Sequence, residues 1–183
     1  ASDVYKRQVY WMSGPNKELF DVNFKDWRSD PRQLYNIDKI PNPVLRATHR
    51  QSKKRLLAYA NSQLSKALDI NTLTIGFARR AATYKRAQLI FKDVDRLIDI
   101  GKGKIQIIFS GKAHPKDEGG KSLIKNIVKS SKYFAGHIKI IYLENYNMWL
   151  GRLITSGVDV WLNTPLRPNE ASGLSLIHIS EPT

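Results

Sequence analysis

The 183-residue chain contains no cysteine. That absence excludes disulfides, thiolate metal sites and a cysteine nucleophile, and it suits a reducing compartment. No apolar run approaches the roughly 20 residues needed to span a bilayer, and the first residues lack the apolar core of a signal peptide. A cytoplasmic location is the expectation. There is no Gly-rich Walker loop, GxGxxG turn or GxSxG elbow, and no histidine–carboxylate spacing suited to a metal ion. Acidic residues are scarce: 16 Asp and Glu stand against 30 Lys and Arg, for a formal charge of +14. Such an excess favours anionic partners, whether nucleic acid, phosphorylated small molecules or an acidic protein.

What is present is the composition of an ordinary soluble domain, 42% hydrophobic and 25% charged, at a length that implies one self-sufficient core. Both ends depart from it. "ASDVYKRQ" at 1–8 and "LSLIHISEPT" at 174–183 resemble translated transposon adaptors from DNA sequencing libraries. As such scars they stay outside fold reasoning, and the natural segment is Val9 to Gly173, cut from a longer protein. The charge excess survives the exclusion. Asp3, Lys6 and Arg7 contribute a net positive charge that Glu181 cancels.

From Val9 to about Pro43 the chain is polar, aromatic and punctuated ("WMSGPNK", "KDWRSDP", "KIPNP"), which reads as short helical turns and loops packing on something larger. Residues 43–68 are rich in helix formers, with Pro43 suited to a first turn and Arg46, Arg50, Lys53, Lys54 and Arg55 mostly on the wet side. Beyond this point strands and helices alternate. Strands are expected at 72–78, 104–111, 138–144 and 158–163, and helices at 84–100, 120–134 and 147–157. Apolar positions support the assignment: Ile90, Val94 and Leu97 in one helix, Leu123, Ile124, Ile127 and Val128 in the next. Alternation of this kind implies right-handed crossovers and a Rossmann-like α/β fold, a parallel sheet flanked by helices. Residues 9–71 would be a helical and irregular lead-in, and 72–173 the sheet unit.

In such sheets ligands bind beyond the carboxyl ends of the strands, so the four loops that follow the strands should share one rim. Their chemistry is dense. "ARRAATYKR" (78–86) gathers Arg79, Arg80, Lys85 and Arg86 near a helix start, where backbone N–H groups already favour an anion and guanidinium can grip phosphate through two donors. The alternative is a solvated basic face. In "SGKAHPKDEGG" (110–120), Gly111 and Lys112 could extend an anion site and His114 could titrate or play a structural part. Asp117 and Glu118 could be catalytic or mark a helix start. In "LENYN" (143–147), Glu144, Asn145 and Tyr146 could touch a ligand or cap the next helix. In "LNTPLRPNEASG" (162–173), Glu170 could accept hydrogen bonds from sugar hydroxyls beside Ser172 and Gly173. Glu144 and Glu170 could also be imagined as a glycosidase pair.

Taken together, "IGFARRAATYKRAQLIF", "IIFSGKAHPKDEGGKSLI", "YLENYNM" and "GVDVWLNTPLRPNEASG" resemble the bacterial and archaeal α-glucan (glycogen, starch, maltodextrin) phosphorylase family, in order and spacing. The resemblance implies two Rossmann-like domains facing a cleft, the GT-B architecture, with this chain covering the end of the N-terminal region and the first half of the C-terminal domain. It implies cleavage of terminal α-1,4-linked glucose by inorganic phosphate to give glucose 1-phosphate, with pyridoxal 5'-phosphate as cofactor and a parent that could form homo-oligomers. By the same resemblance, Arg80 and Lys85 hold the substrate phosphate beside the cofactor phosphate, and Arg79, Lys85, Tyr146 and Gly173 serve the cofactor side. Tyr84 and the stretch Glu170, Ala171, Ser172 and Gly173 bind glucose. Ala81, Ala82 and Asn147 depart from residues common in parts of the family. After Gly173 the family continues to the lysine that carries the cofactor as a Schiff base; here "LSLIHISEPT" follows, and it contains no lysine. A fragment inactive by itself is expected. A nucleotide-sugar glycosyltransferase of the same architecture, similar to glycogen synthase, is the alternative; a basic nucleic-acid-binding domain would need a motif that the sequence lacks.

Overall fold

In a computed structural model, which describes residues 9–63 and 67–169, the strand–helix alternation closes into one parallel sheet. β1 (Leu73–Ala78), β2 (Ile105–Ser110), β3 (Lys139–Leu143) and β4 (Val160–Trp161) lie in the order β3-β2-β1-β4. Ile75 pairs with Ile107 on one side of β1 and with Val160 on the other. The chain therefore builds outward from β1 to β3, then returns across β1 to lay β4 on the opposite side. That reversal makes the crevice between the carboxyl ends of β1 and β4 the topological switch point, the favoured ligand position in open α/β sheets.

Alternating strand residues feed two cores. Phe77, Ile107, Phe109 and Ile140 pack with Leu97, Leu123, Ile127 and Phe134, under α3 (Val94–Gly101) and α4 (Glu118–Tyr133). Ala78, Ile108, Ile141 and Leu143 pack with Leu56, Leu57, Leu150 and Ile154, under α2 (Asn42–Ser62) and α5 (Met148–Gly157). A β-carbon on Gly157 would lie 2.6 Å from Leu56 Cβ, so the glycine is what lets α5 press against α2.

The structure departs from the sequence reading at four places. The lead-in contains a true helix, α1 (Gly14–Asn23), capped by Ser13, whose side chain accepts from Asn16 N–H, with Pro15 in the first turn. It carries a satellite core of Phe20, Phe24, Trp27 and Ile40. The helix expected over 43–68 stops at Ser62, and Asn61 bridges both backbone groups of Leu68, accepting from its N–H at 2.7 Å and donating to its carbonyl at 3.2 Å. Lys53 is not on the wet side of α2: it is buried and donates to Asp159 and to the Thr72 carbonyl. The helix expected over 84–100 is broken into the 3₁₀ turns Thr83–Lys85 and Ala87–Phe91, followed by the short α3. Arg86 turns the backbone left-handed (φ 49°, ψ 46°), and Asp93 caps α3 by accepting from Arg96 N–H.

Candidate functional site at the β1 and β4 rim

The loop after β1 runs alongside the loop after β2. Arg79 N–H donates to the Ser110 carbonyl and Ala81 N–H to the Lys112 carbonyl, so strand pairing continues past the sheet. Gly111 permits this approach, because a β-carbon there would overlap the Arg79 carbonyl oxygen. Gly120, in the first turn of α4, sits against Ala81 in the same way, its β-carbon position 2.6 Å from the Ala81 oxygen. Two glycines thus hold the basic loop flush against its neighbours.

The loop after β4 is fastened to the first loop by side chains and backbone. Arg86 donates to the carbonyls of Thr164 (2.8 Å) and Pro165 (3.3 Å). Thr164 Oγ1 donates back to the carbonyls of Lys85 and Arg86, and Leu166 N–H donates to the Tyr84 carbonyl at 2.8 Å. Arg86, grouped in the sequence with the phosphate-gripping cations, is therefore occupied in joining the two loops.

Inside this frame Arg79 is 6% exposed. Its guanidinium lies 4.7 Å from the centroid of the Phe77 ring, and one amino group donates to the Leu162 carbonyl at 3.1 Å. Nε and Nη1 are buried without a partner. Burial pushes the Arg79 pKa down, opposed by the nearby phenols of Tyr146 and Tyr84; burial likewise pushes Tyr146 up, opposed by Arg79. Tyr146 also donates toward the Ala78 carbonyl across 3.5 Å. Lys85 is buried, its ammonium 4.9 Å from the Tyr84 ring centroid, and Arg80 is exposed on the same loop. Arg79, Tyr84, Lys85 and Tyr146 are thus brought into one neighbourhood by the ends of β1 and β3.

Five buried side-chain nitrogen and oxygen atoms lack a hydrogen-bond partner among the described residues, and four of them belong to Arg79, Trp161 and Asn163. Unsatisfied buried polar atoms are uncommon in folded proteins, each costing about 1–3 kcal/mol. These four atoms belong to the segments at the ends of β1 and β4. Trp161 and Asn163 escaped sequence reasoning because a tryptophan in an apolar strand and an asparagine before a proline-containing loop carry no signal of orphaned donors or acceptors.

Other candidates take structural roles. Asp117 caps α4 by accepting from Gly120 N–H, and Glu118 pairs with Lys121 within that helix. His114 Nδ1 accepts from Lys116 N–H in the exposed loop, and Lys112 and Glu144 are exposed. In the third loop the cap is Asn147, which accepts from Leu150 N–H; Asn145 adopts a left-handed conformation before it. Tyr142 donates to the Gly111 carbonyl, and burial, helped by Glu144, pushes its phenol up to about 12. Glu170, Ala171, Ser172 and Gly173 lie outside the described residues. Among the described residues no cluster of side chains suits a metal ion, and no helix is long and apolar enough to cross a membrane.

A parallel sheet with strand order 3-2-1-4, with cationic and unsatisfied polar side chains at its switch point, defines a helix-flanked α/β unit of the kind whose ligands bind at that point. Comparison with known proteins gives that class its family. The carbohydrate phosphorylase family model matches residues 8–180, and the chain belongs to that family. It is 40% identical to a maltodextrin phosphorylase of Thermococcus litoralis over 185 residues, covering 90% of this chain and 22% of the relative. A glycogen phosphorylase of Mycobacterium tuberculosis H37Rv is 47% identical over 115 residues, 61% of this chain and 13% of that protein. A glycogen phosphorylase of Aquifex aeolicus is 37% identical over 182 residues, 87% of this chain and 26% of that protein. The chain spans between 13% and 26% of the length of these relatives.

Proposed function

We propose that this chain is the phosphate-handling part of an α-glucan phosphorylase, a larger GT-B enzyme that cleaves terminal α-1,4-linked glucose with inorganic phosphate to release glucose 1-phosphate. The observation that carries the reading is the buried Arg79 guanidinium with two unpartnered donor atoms beside Lys85. A fixed cation with donors already desolvated stabilises phosphate without reorganising when the ligand arrives. Arg80, on the open side of the loop, and Lys85 hold the substrate phosphate. Arg79, Tyr146 and Lys85 face the cofactor side, and Tyr84 orients a glucose hydroxyl. Glu170, Ala171, Ser172 and Gly173 supply the sugar-binding loop, with Gly173 also on the cofactor side.

The orphaned donors of Arg79 fit the phosphate end of pyridoxal 5'-phosphate, which would supply acid–base chemistry beside the substrate phosphate. Residues 168–183 contain no lysine. On this reading residues 174–183 are foreign sequence.

The test is the uninterrupted parent gene. It should encode a lysine shortly after the position of Gly173, and its product should release glucose 1-phosphate from maltodextrin. Arg80→Ala or Lys85→Ala should cost on the order of a hundredfold or more in kcat/KM, the scale of losing one preorganised charge stabiliser. A parent that lacks the lysine, or that consumes a sugar nucleotide in place of phosphate, overturns the assignment.

A further inference from the structure

The fifth unpartnered buried atom is the hydroxyl of Ser52, and it lies far along the chain from the others. Ser52 is 3% exposed and lines a cavity of about 480 Å³ where the start of α1 meets α2 and α5. Arg55 from α2 and Arg152 from α5 line the same cavity, with the aromatic pair Tyr59 and Trp149, whose rings meet edge to face at 4.9 Å. Trp149 is 57% exposed, so part of its indole is open.

The electrostatics of this cavity are one-sided. Arg55 Nη1 reaches to 3.1 Å from the place where a β-carbon on Gly14 would stand, which sets a guanidinium against the N-terminal turn of α1, a turn without an acidic residue. A cation beside the positive end of a helix dipole is unfavourable until an anion joins them. Arg152 is held in place by the Met12 carbonyl and the Tyr10 ring. Among the described residues neither arginine pairs with a carboxylate; Asp21, on α1, is taken by Arg28 and Trp27. Lys17, one turn along α1, has its pKa lowered by burial, then by Arg152 and Arg28, against the pull of Asp21.

The geometry points to a second ligand site in this cavity, one for a small phosphate monoester. Arg55, Arg152 and the Ser52 hydroxyl take the phosphate, and the ring of its organic part lies on Trp149. Two guanidinium groups lining one cavity with a desolvated hydroxyl suit a phosphate, while a partly open indole suits a flat or apolar ring. The site is built from α1, α2 and α5 and shares no residue with the β1 and β4 rim.

Calorimetric titration of the 183-residue chain with phenyl phosphate, inorganic phosphate and phenol tests this. Phenyl phosphate should bind saturably and about tenfold or more tighter than either half-molecule. Arg55→Met and Arg152→Met should each weaken it about tenfold, the scale of a lost charged hydrogen bond. Trp149→Ala should abolish the preference for phenyl phosphate over phosphate while leaving phosphate binding intact. Ser52→Ala, a small change that keeps the helix, should weaken both. Lys125→Met, which removes an exposed cation of α4 outside both sites, should change none of these values. Absence of saturable binding overturns the site, as does binding that survives both arginine substitutions. Binding lost on Arg80→Met but not on Arg55→Met or Arg152→Met assigns the anion to the rim, overturning this site and leaving the proposed function untouched.

Discussion

Asp159 stands between α2 and the sheet, and three groups converge on its carboxylate. Lys53 Nζ lies 2.5 Å from Oδ2, Thr74 N–H donates to the same oxygen at 2.7 Å, and His49 Nε2 is 2.9 Å from Oδ1. Burial opposes ionisation, but the hydrogen bonds from Lys53, Thr74 and His49 outweigh it and hold the carboxyl below its ordinary range. A carboxyl with a depressed folded pKa adds stability above its unfolded value, about 3.9, and loses it as pH falls through the folded value. Denaturant midpoints measured from pH 7 downward should therefore drop below about pH 4, and the drop should be shallower in Asp159→Asn. Lys53→Met should cost about 2 kcal/mol at pH 7, the scale of a charged hydrogen bond. Arg79 should behave in the opposite way. Arg79→Met exchanges a desolvated, half-satisfied cation for an apolar chain of similar length, so thermal stability in chloride should change by less than about 1 kcal/mol. The extra stability conferred by phosphate at equal ionic strength should fall in that variant. None of this was visible in the sequence, where Lys53 looks like one more cation on a basic helix and Arg79 like its neighbour Arg80. Burial and partnership separate them, and the partners lie 106 positions from Lys53 and 83 from Arg79.

At the scale of elements, caps and close contacts decide the boundaries. Asp117→Ala and Asn147→Ala each remove the side-chain acceptor at the start of a helix, with an expected loss of about 1 kcal/mol in chemical denaturation. Gly157→Ala pushes a methyl group into Leu56 and should cost about 1–3 kcal/mol through overpacking, with no change in the rim. The four strands and α4 and α5 were legible because buried parallel strands read as apolar runs and their helices keep one apolar face. The helix expected over 84–100 was misread for a physical reason. Its apolar positions do face the core, but the backbone between them obeys Arg86 and Asp93, whose hydrogen bonds favour turns over a continuous helix. The α1 helix carried its signal openly, a serine cap followed by proline, and was obscured by the aromatic residues around it. At the rim, the shared neighbourhood of Arg79, Lys85, Tyr84 and Tyr146 was legible from their place in loops that follow strands, whereas the unpartnered atoms of Trp161 and Asn163 depend on tertiary packing.

For the whole molecule, the decisive feature is that β4 is added last and on the far side of β1. The bonds that complete the rim join residues 78 to 83 positions apart, Arg86 to Thr164 and Arg79 to Leu162, while β1, β2 and β3 pair over shorter stretches of chain. Contacts of long sequence separation form late because the intervening loop must be ordered first. During synthesis, Arg79 can settle beside β2 through the Ser110 carbonyl while Leu162 is still inside the ribosome. The basic loop therefore acquires its second wall only when β4 emerges, and the crevice proposed to hold the anion is among the last parts of this chain to form.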